Sequence, residues 1–208
     1  MIELDVQQTR DTRLIVFHDD QLERTTNGRG TVRAMRYAQL ARMDAGRWFH
    51  PRFAGASILL LSQVFPLIPS HLLINLELKP VIHPRSFLTR VIRCIRHARR
   101  VRRVLLSSFE PALLMPFRAL GWPRALICCE HPQRSLRHAA QLGCASWHPL
   151  HTLVTPQRVA QAHAEGLRVH AWTVDELPRA RQLIRWGVDG LFTNNPATLA
   201  HHLRGVRR

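Results

Sequence analysis

The feature that most constrains this chain is an alternation. From residue 73 onward, six short β-like runs (73–78, 101–106, 124–128, 144–147, 167–173 and 189–193) take turns with six helical stretches (86–100, 111–120, 133–142, 156–165, 177–186 and 197–203). Several helices open as helices prefer to, with Thr155-Pro156 and Asn195-Pro196 each offering an N-cap and a first-turn proline. Several close on a glycine (Gly121, Gly143, Gly166, Gly187), where a left-handed residue costs little. Strand and helix in strict alternation imply a parallel sheet flanked by helices. The run 2–6 adds a seventh strand. The closed form of this pattern is an eight-stranded (β/α) barrel, and seven is one short. An open doubly wound sheet is the competing arrangement, but no GxGxxG follows a strand.

Residues 19–57 break the rhythm. They hold Asn27-Gly28, Gly30, Gly46, Pro51 and Gly55 together with Trp48, Phe49 and Phe53. The segment reads as a small inserted subdomain within a single domain, 1–208.

Composition narrows the class further. With 46% apolar and 21% charged residues, 208 residues make a folded domain with a sizeable core. Thirty basic residues stand against 14 acidic ones, a formal charge of +16. Lys79 is the one lysine among them, so the excess is arginine spread along the chain. That is the mark of a coding bias more than of a nucleic-acid binder. The run 90–103 holds seven arginines, and Arg90, Arg93 and Arg96 share one helical face, read here as a solvated outer stripe. It lacks the interleaved aromatics of a single-strand binder, so no nucleic-acid partner is expected. Cys94, Cys128, Cys129 and Cys144 show no metal-binding spacing and fit a reducing compartment. No signal peptide opens the sequence, and its most apolar stretch, 58–78, is too interrupted by polar residues and prolines to span a bilayer. A cytoplasmic location follows as the expectation.

Side chains alternate faces along a strand. In 2–6, Glu3 and Asp5 share one face and the aliphatics the other; in 74–79, one face carries Asn75, Glu77 and Lys79. Aliphatic faces pack under helices, so the carboxylates turn inward, where they are costly unless paired or metal-bound. An edge strand with its acids in solvent explains either strand alone. Two such strands in one α/β pattern point to a site. Three carboxylates without a soft ligand suit Mg²⁺ or Ca²⁺, with Mn²⁺ a third choice.

His18 follows a further strand, 14–17. If Asp11-Thr12 is a two-residue hairpin turn, paired positions sum to 23 and Asp5 sits opposite His18, which sets this histidine apart from the other twelve. Trp172, on one strand face with His170, ends a late strand where a barrel keeps its active site; core packing is the alternative for both. Glu130 and His148 also follow strands, while Asn194 and Asn195 read equally as helix caps.

The runs Ile2-Glu3-Leu4-Asp5-Val6, His18-Asp19-Asp20-Gln21-Leu22-Glu23-Arg24-Thr25-Thr26-Asn27-Gly28-Arg29-Gly30 and Asp44-Ala45-Gly46-Arg47-Trp48-Phe49 resemble glycerophosphodiester phosphodiesterases. So do Asn75-Leu76-Glu77-Leu78-Lys79, Leu106-Ser107-Ser108-Phe109-Glu110 and Gly190-Leu191-Phe192-Thr193. The segments Leu60-Leu61-Ser62-Gln63-Val64, Leu142-Gly143-Cys144 and Arg185-Trp186-Gly187-Val188-Asp189 are most similar to the cytoplasmic bacterial branch associated with glycerol-3-phosphate uptake. The resemblance implies a (β/α) barrel with an inserted subdomain. It also implies metal-dependent hydrolysis of small-molecule glycerophosphodiesters to sn-glycerol 3-phosphate and an alcohol, within lipid and glycerol metabolism. By match of motif it makes Glu3, Asp5 and Glu77 metal ligands, His18 one of two acid/base histidines, Lys79 a phosphate contact and Trp172 an aromatic packing on substrate.

The family's first strand carries His-Arg-Gly, followed by a loop with Glu-Asn, and neither motif is found here. The expectation is therefore a barrel lacking its first strand–helix unit, about 30 residues, and with it one catalytic histidine, a phosphate-binding arginine and a metal-binding glutamate. Met1 as a misassigned start is one reading of this. The others are a catalytically inactive remnant of the same fold and, more remotely, an arginine-rich nucleic-acid-binding protein.

Overall fold

The computed structural model describes residues 1–203. The chain has an α/β fold in two compact units, Met1–Leu106 and Ser107–Arg208, the second of which keeps the strand–helix alternation of a (β/α) barrel.

In the first unit, β1 (Ile2–Gln8) is flanked by β2 (Leu14–Val16), antiparallel, and β3 (Ile74–Leu78), parallel. Two one-turn helices, α1 (Tyr37–Leu40) and α2 (Leu61–Val64), lie between β2 and β3. After β3 come α3 (Pro84–His97) and β4 (Val104–Ser108), which lies next to β3. Val6, Ile74, Leu76 and Leu78 are buried on the strand faces, and α3 buries Phe87, Val91 and Ile95, one stripe of a 3.6-residue period. Arg90, Arg93 and Arg96 are exposed, the solvated stripe expected of them.

The second unit runs through α4 (Pro111–Arg118), β5 (Arg124–Cys128), α5 (Pro132–Gln141), β6 (Ser146–Pro149), α6 (Pro156–Ala164), β7 (Arg168–Ala171), α7 (Leu177–Arg185), β8 (Gly190–Leu191) and α8 (Pro196–Leu203). Strands β5, β6, β7 and β8 pair in parallel in that order. Proline opens α4, α5, α6 and α8, and the Thr155 hydroxyl accepts from Arg158 N at 3.3 Å. Gly121, Gly143, Gly166 and Gly187 all take positive φ, as their places after helices require. Each of the seven runs forms a strand. Two are displaced: residues 101–103 form a 3-10 turn ahead of β4, and β6 extends to Pro149.

The hairpin departs from expectation. Its pairs are Val6 with Val16, Gln7 with Ile15 and Gln8 with Leu14, one residue away from the register of a two-residue turn. The loop has three residues, closed by Thr9 N donating to Arg13 O at 3.0 Å, with Thr12 left-handed at φ 60°. That is the turn-plus-left-handed-residue hairpin. The Thr9 hydroxyl selects it by donating to Asp11 Oδ1 (2.6 Å) while accepting from Arg13 N (3.0 Å). Asp5 O consequently accepts from Phe17 N at 3.1 Å, and His18 falls beyond the strand.

Residues 19–57 fold around Leu22, Val32 and Leu40, which pack with Ile15, Phe17 and Ile58. Asp44 organises the far part of the segment, accepting from the backbone N–H groups of Gly46, Arg47 and Gly55. Those bonds hold its carboxyl low, at about 2. A Cβ at Gly46 would collide with the Phe53 carbonyl.

Several arginines are structural, Arg124 and Arg100 among them. Arg124 is buried, and its guanidinium donates to the carbonyls of Trp122, Leu142 and Gly143. Arg100 donates to those of Phe65 and Ile68.

Two substitutions test these assignments by urea denaturation. Thr12→Gly relieves a left-handed threonine and raises the unfolding free energy by about 1 kcal/mol. Arg124→Ala strands three carbonyls and lowers it by about 2–3 kcal/mol.

Candidate active site

The β1–β3 register places two rows of polar side chains next to each other. Glu3 lies opposite Asn75 and Asp5 opposite Glu77. Strand alternation puts Gln7 on the Glu3–Asp5 face and Lys79 on the Asn75–Glu77 face. Asp5, Gln7 and Asn75 are buried, and Glu3, Glu77 and Lys79 are partly so.

Lys79 ties the rows together. Its ammonium lies 2.8 Å from Asp5 Oδ1 and 2.5 Å from Glu77 Oε1. Burial pulls its pKa down, but Asp5 and Glu77 outweigh burial and the net shift is upward, so the ammonium keeps its proton. Burial raises Glu77, and Lys79 opposes that rise. Glu3 is left over: burial first, then the charges of Asp5 and Glu77, push its carboxyl up to about 8. Among the described residues Glu3 Oε1 is buried without a hydrogen-bond partner, and so is Asn75 Oδ1.

One carboxylate oxygen from each of Glu3, Asp5 and Glu77 lies within 4.8 Å of the others. Three carboxylates face one ammonium, so a divalent cation would bring the cluster to neutrality. The donors are hard oxygens, and Glu3 Oε1 is unspent. The residues therefore fit a cation of the Mg²⁺ or Ca²⁺ type.

His18 is joined to this region through its loop. Its side chain is 68% exposed and its Nδ1 lies 2.6 Å from Asp19 Oδ1. A proton on His18 would favour the ionised form of Glu77, a smaller influence than burial or Lys79. The expected pairing with Asp5 is not what brings it here. Gln7 does so: its amide nitrogen donates to the carbonyls of Phe17 (2.8 Å), His18 (3.2 Å) and Asp19 (2.8 Å). Sequence reasoning passed over Gln7, although it is the third member of the Glu3–Asp5 face and that periodicity was the available signal.

Trp172 belongs to the second unit. It follows β7, is half-buried, and meets the Phe109 ring edge-on at a centroid distance of 5.7 Å. Its indole N–H donates to His148 O at 2.8 Å. His148 is buried, with Nε2 3.0 Å from Ser146 Oγ and 3.1 Å from His170 Nδ1. Burial, then His170, drives its pKa well down, so it is neutral and part of the interior. Glu130 is exposed. Asn194 donates through backbone and side chain to Asp175.

Residues 1–198 match the sequence profile of the glycerophosphoryl diester phosphodiesterase family. The chain is 34% identical over 212 residues to a glycerophosphodiester phosphodiesterase of Caldanaerobacter subterraneus subsp. tengcongensis, spanning 98% of this chain and 85% of the relative. It is 33% identical to another of Bacillus altitudinis, over 94% of this chain and 82% of that one. Among solved structures it is similar to an Oleispira antarctica phosphodiesterase in complex with the product sn-glycerol-3-phosphate. That match has a TM-score of 0.89 and 26% identity, and it covers 98% of this chain and 84% of the other. A glycerophosphodiester phosphodiesterase from Agrobacterium tumefaciens str. C58 matches with a TM-score of 0.80 and 25% identity, over 96% and 85% of the two chains.

The raised Glu3 carboxyl has a thermodynamic signature. Between its ordinary value of 4.5 and about 8, the folded chain binds a proton that the unfolded chain has released. The associated stability is complete below the lower value and is lost as pH rises through the upper one. In cation-free buffer, differential scanning fluorimetry should show Tm falling across that window. Glu3→Gln should flatten the fall. Mg²⁺ or Ca²⁺ should oppose it by favouring the ionised carboxylate.

Proposed function

The chain belongs to the glycerophosphoryl diester phosphodiesterase family, and on that premise we propose that it hydrolyses glycerophosphodiesters to sn-glycerol 3-phosphate and an alcohol with a divalent cation. The observation that carries this reading is the cluster of Glu3, Asp5 and Glu77 around Lys79. Buried carboxylates in such numbers destabilise a fold unless something positive holds them, and one ammonium leaves the cluster short of charge.

Glu3, Asp5 and Glu77 would hold the cation. When bound, it supplies positive charge against the negative charge that builds on the phosphate oxygens. Lys79, kept protonated by Asp5 and Glu77, presents an ammonium that donates hydrogen bonds to the phosphate. His18 is the acid for the leaving alkoxide: Nδ1–H is engaged by Asp19, so Nε2 is the nitrogen that takes up a proton from solvent and passes it to the alkoxide as the P–O bond breaks, while the attacking water releases its own proton to solvent. Trp172 offers substrate only apolar ring surface, since its N–H is already taken by His148 O. Residues 19–57 are read as the inserted subdomain. The four free cysteines support a reducing, cytoplasmic setting. Among the described residues no helix is long and apolar enough to cross a membrane.

The deciding experiment is an assay of glycerol 3-phosphate released from glycerophosphocholine, with Mg²⁺, Ca²⁺ or Mn²⁺ and after chelation. Release is expected with a cation and not without. His18→Ala is expected to lower kcat by about 10²–10⁴-fold, and Glu77→Gln to remove the response to cation. A folded chain that releases nothing with any of the three cations would favour the non-catalytic remnant.

A further inference from the structure

A proton-transfer group has to be held in one orientation, yet His18 lies on a loop and is 68% exposed. Two neighbours resolve that conflict. Asp19 Oδ1 lies 2.6 Å from His18 Nδ1. A carboxylate can only accept, so the proton of that bond is on Nδ1. Asp19 is held in turn by Arg24, whose Nε donates to Oδ2 at 2.6 Å and Nη2 to Oδ1 at 2.8 Å, a two-point grip that fixes the carboxylate plane. The bond from Arg24 is the largest influence on Asp19 and holds its carboxyl at about 2, so it stays ionised. Arg24 lies over the Trp48 ring, 5.5 Å from its centroid, and Trp48 Nε1 donates to Ala45 O. Gln7 meanwhile fixes the backbone by donating to the carbonyls of Phe17, His18 and Asp19.

From this geometry we propose that Asp19 and Arg24 are positioning residues for His18. Asp19 keeps the imidazole in the Nδ1–H tautomer with Nε2 free to exchange a proton with substrate, and Arg24 keeps Asp19 in place. Neither residue needs to touch substrate. Aspartate alone, next to the histidine in sequence, would swing with the loop; the arginine five residues on turns a flexible pair into a fixed one. The inference rests on the proposed role of His18 as the acid.

The test is the tautomer itself, read from ¹H–¹⁵N imidazole correlations of the full chain labelled at histidine, with His18→Gln assigning the signal. Unaltered protein should show His18 as the Nδ1–H form. Asp19→Ala should convert it to the mixture dominated by Nε2–H that a free imidazole shows. Arg24→Gln should give an intermediate spectrum, and Arg24→Lys should restore less than Arg24 does. Asp19 and Arg24 are not core residues, so Arg24→Gln serves if Asp19→Ala alters the fold by circular dichroism. In the hydrolysis assay, Asp19→Ala should lower kcat by about 10- to 100-fold with KM changed less than twofold. An Nε2–H tautomer in the unaltered chain, or a signal indifferent to both substitutions, would overturn the proposal. An intact Nδ1–H signal in a chain whose hydrolysis ignores His18→Gln would leave the clamp standing and refute the catalytic role of His18.

Discussion

The β1–β3 register is the constraint on which the site depends. It sets Asp5 opposite Glu77 and Glu3 opposite Asn75, forcing carboxylates together where water is scarce. Parallel strands hold such neighbours at fixed spacing, so the repulsion cannot be relieved by moving apart. Lys79 relieves it for Asp5 and Glu77 and leaves Glu3 to respond by raising its pKa. The free energy of this arrangement comes from elsewhere in the unit, from the aliphatic faces of β1 and β3 and the stripe of α3. The interior charge thus sits on well-packed strands, where its geometry is least free to change.

The alternation of strands and helices was plain in the amino-acid sequence because both periodicities and their punctuation agree. First-turn prolines and glycines at helix ends mark the second unit almost to the residue. The acidic face was equally legible, since the two-residue period of a strand needs no knowledge of tertiary structure. The hairpin was not. Its register turns on one threonine hydroxyl bridging Asp11 and Arg13 and on Thr12 accepting a left-handed backbone. Asp-Thr does not announce a three-residue loop. A one-residue slip then changes every cross-strand partner, which is how His18 came to be assigned the wrong neighbour.

The arginine excess divides along similar lines. Arg90, Arg93 and Arg96 lie on an exposed helix face, where position matters little. Arg100 and Arg124 instead close off carbonyls left open by turns. Arg24 takes up a carboxylate. Composition treats the three kinds alike. What separates them is the local supply of unpaired acceptors, and that supply exists only once the turns have formed.

The site's parts also divide by what they must do. Groups meant to hold a cation need a fixed spacing, and they are on strands. A histidine meant to reach a substrate needs access, which a strand interior denies, so it is on a loop past β2. Access alone would leave it mobile. Gln7, buried on β1, carries the rigidity of the sheet outward by gripping three successive carbonyls, and Asp19 with Arg24 passes it on to the imidazole ring. The loop thereby gains a fixed geometry without entering the sheet. The same strand face that supplies the carboxylates of the candidate cation site thus also supplies the anchor for the proton donor, so one register governs both halves of the proposed chemistry.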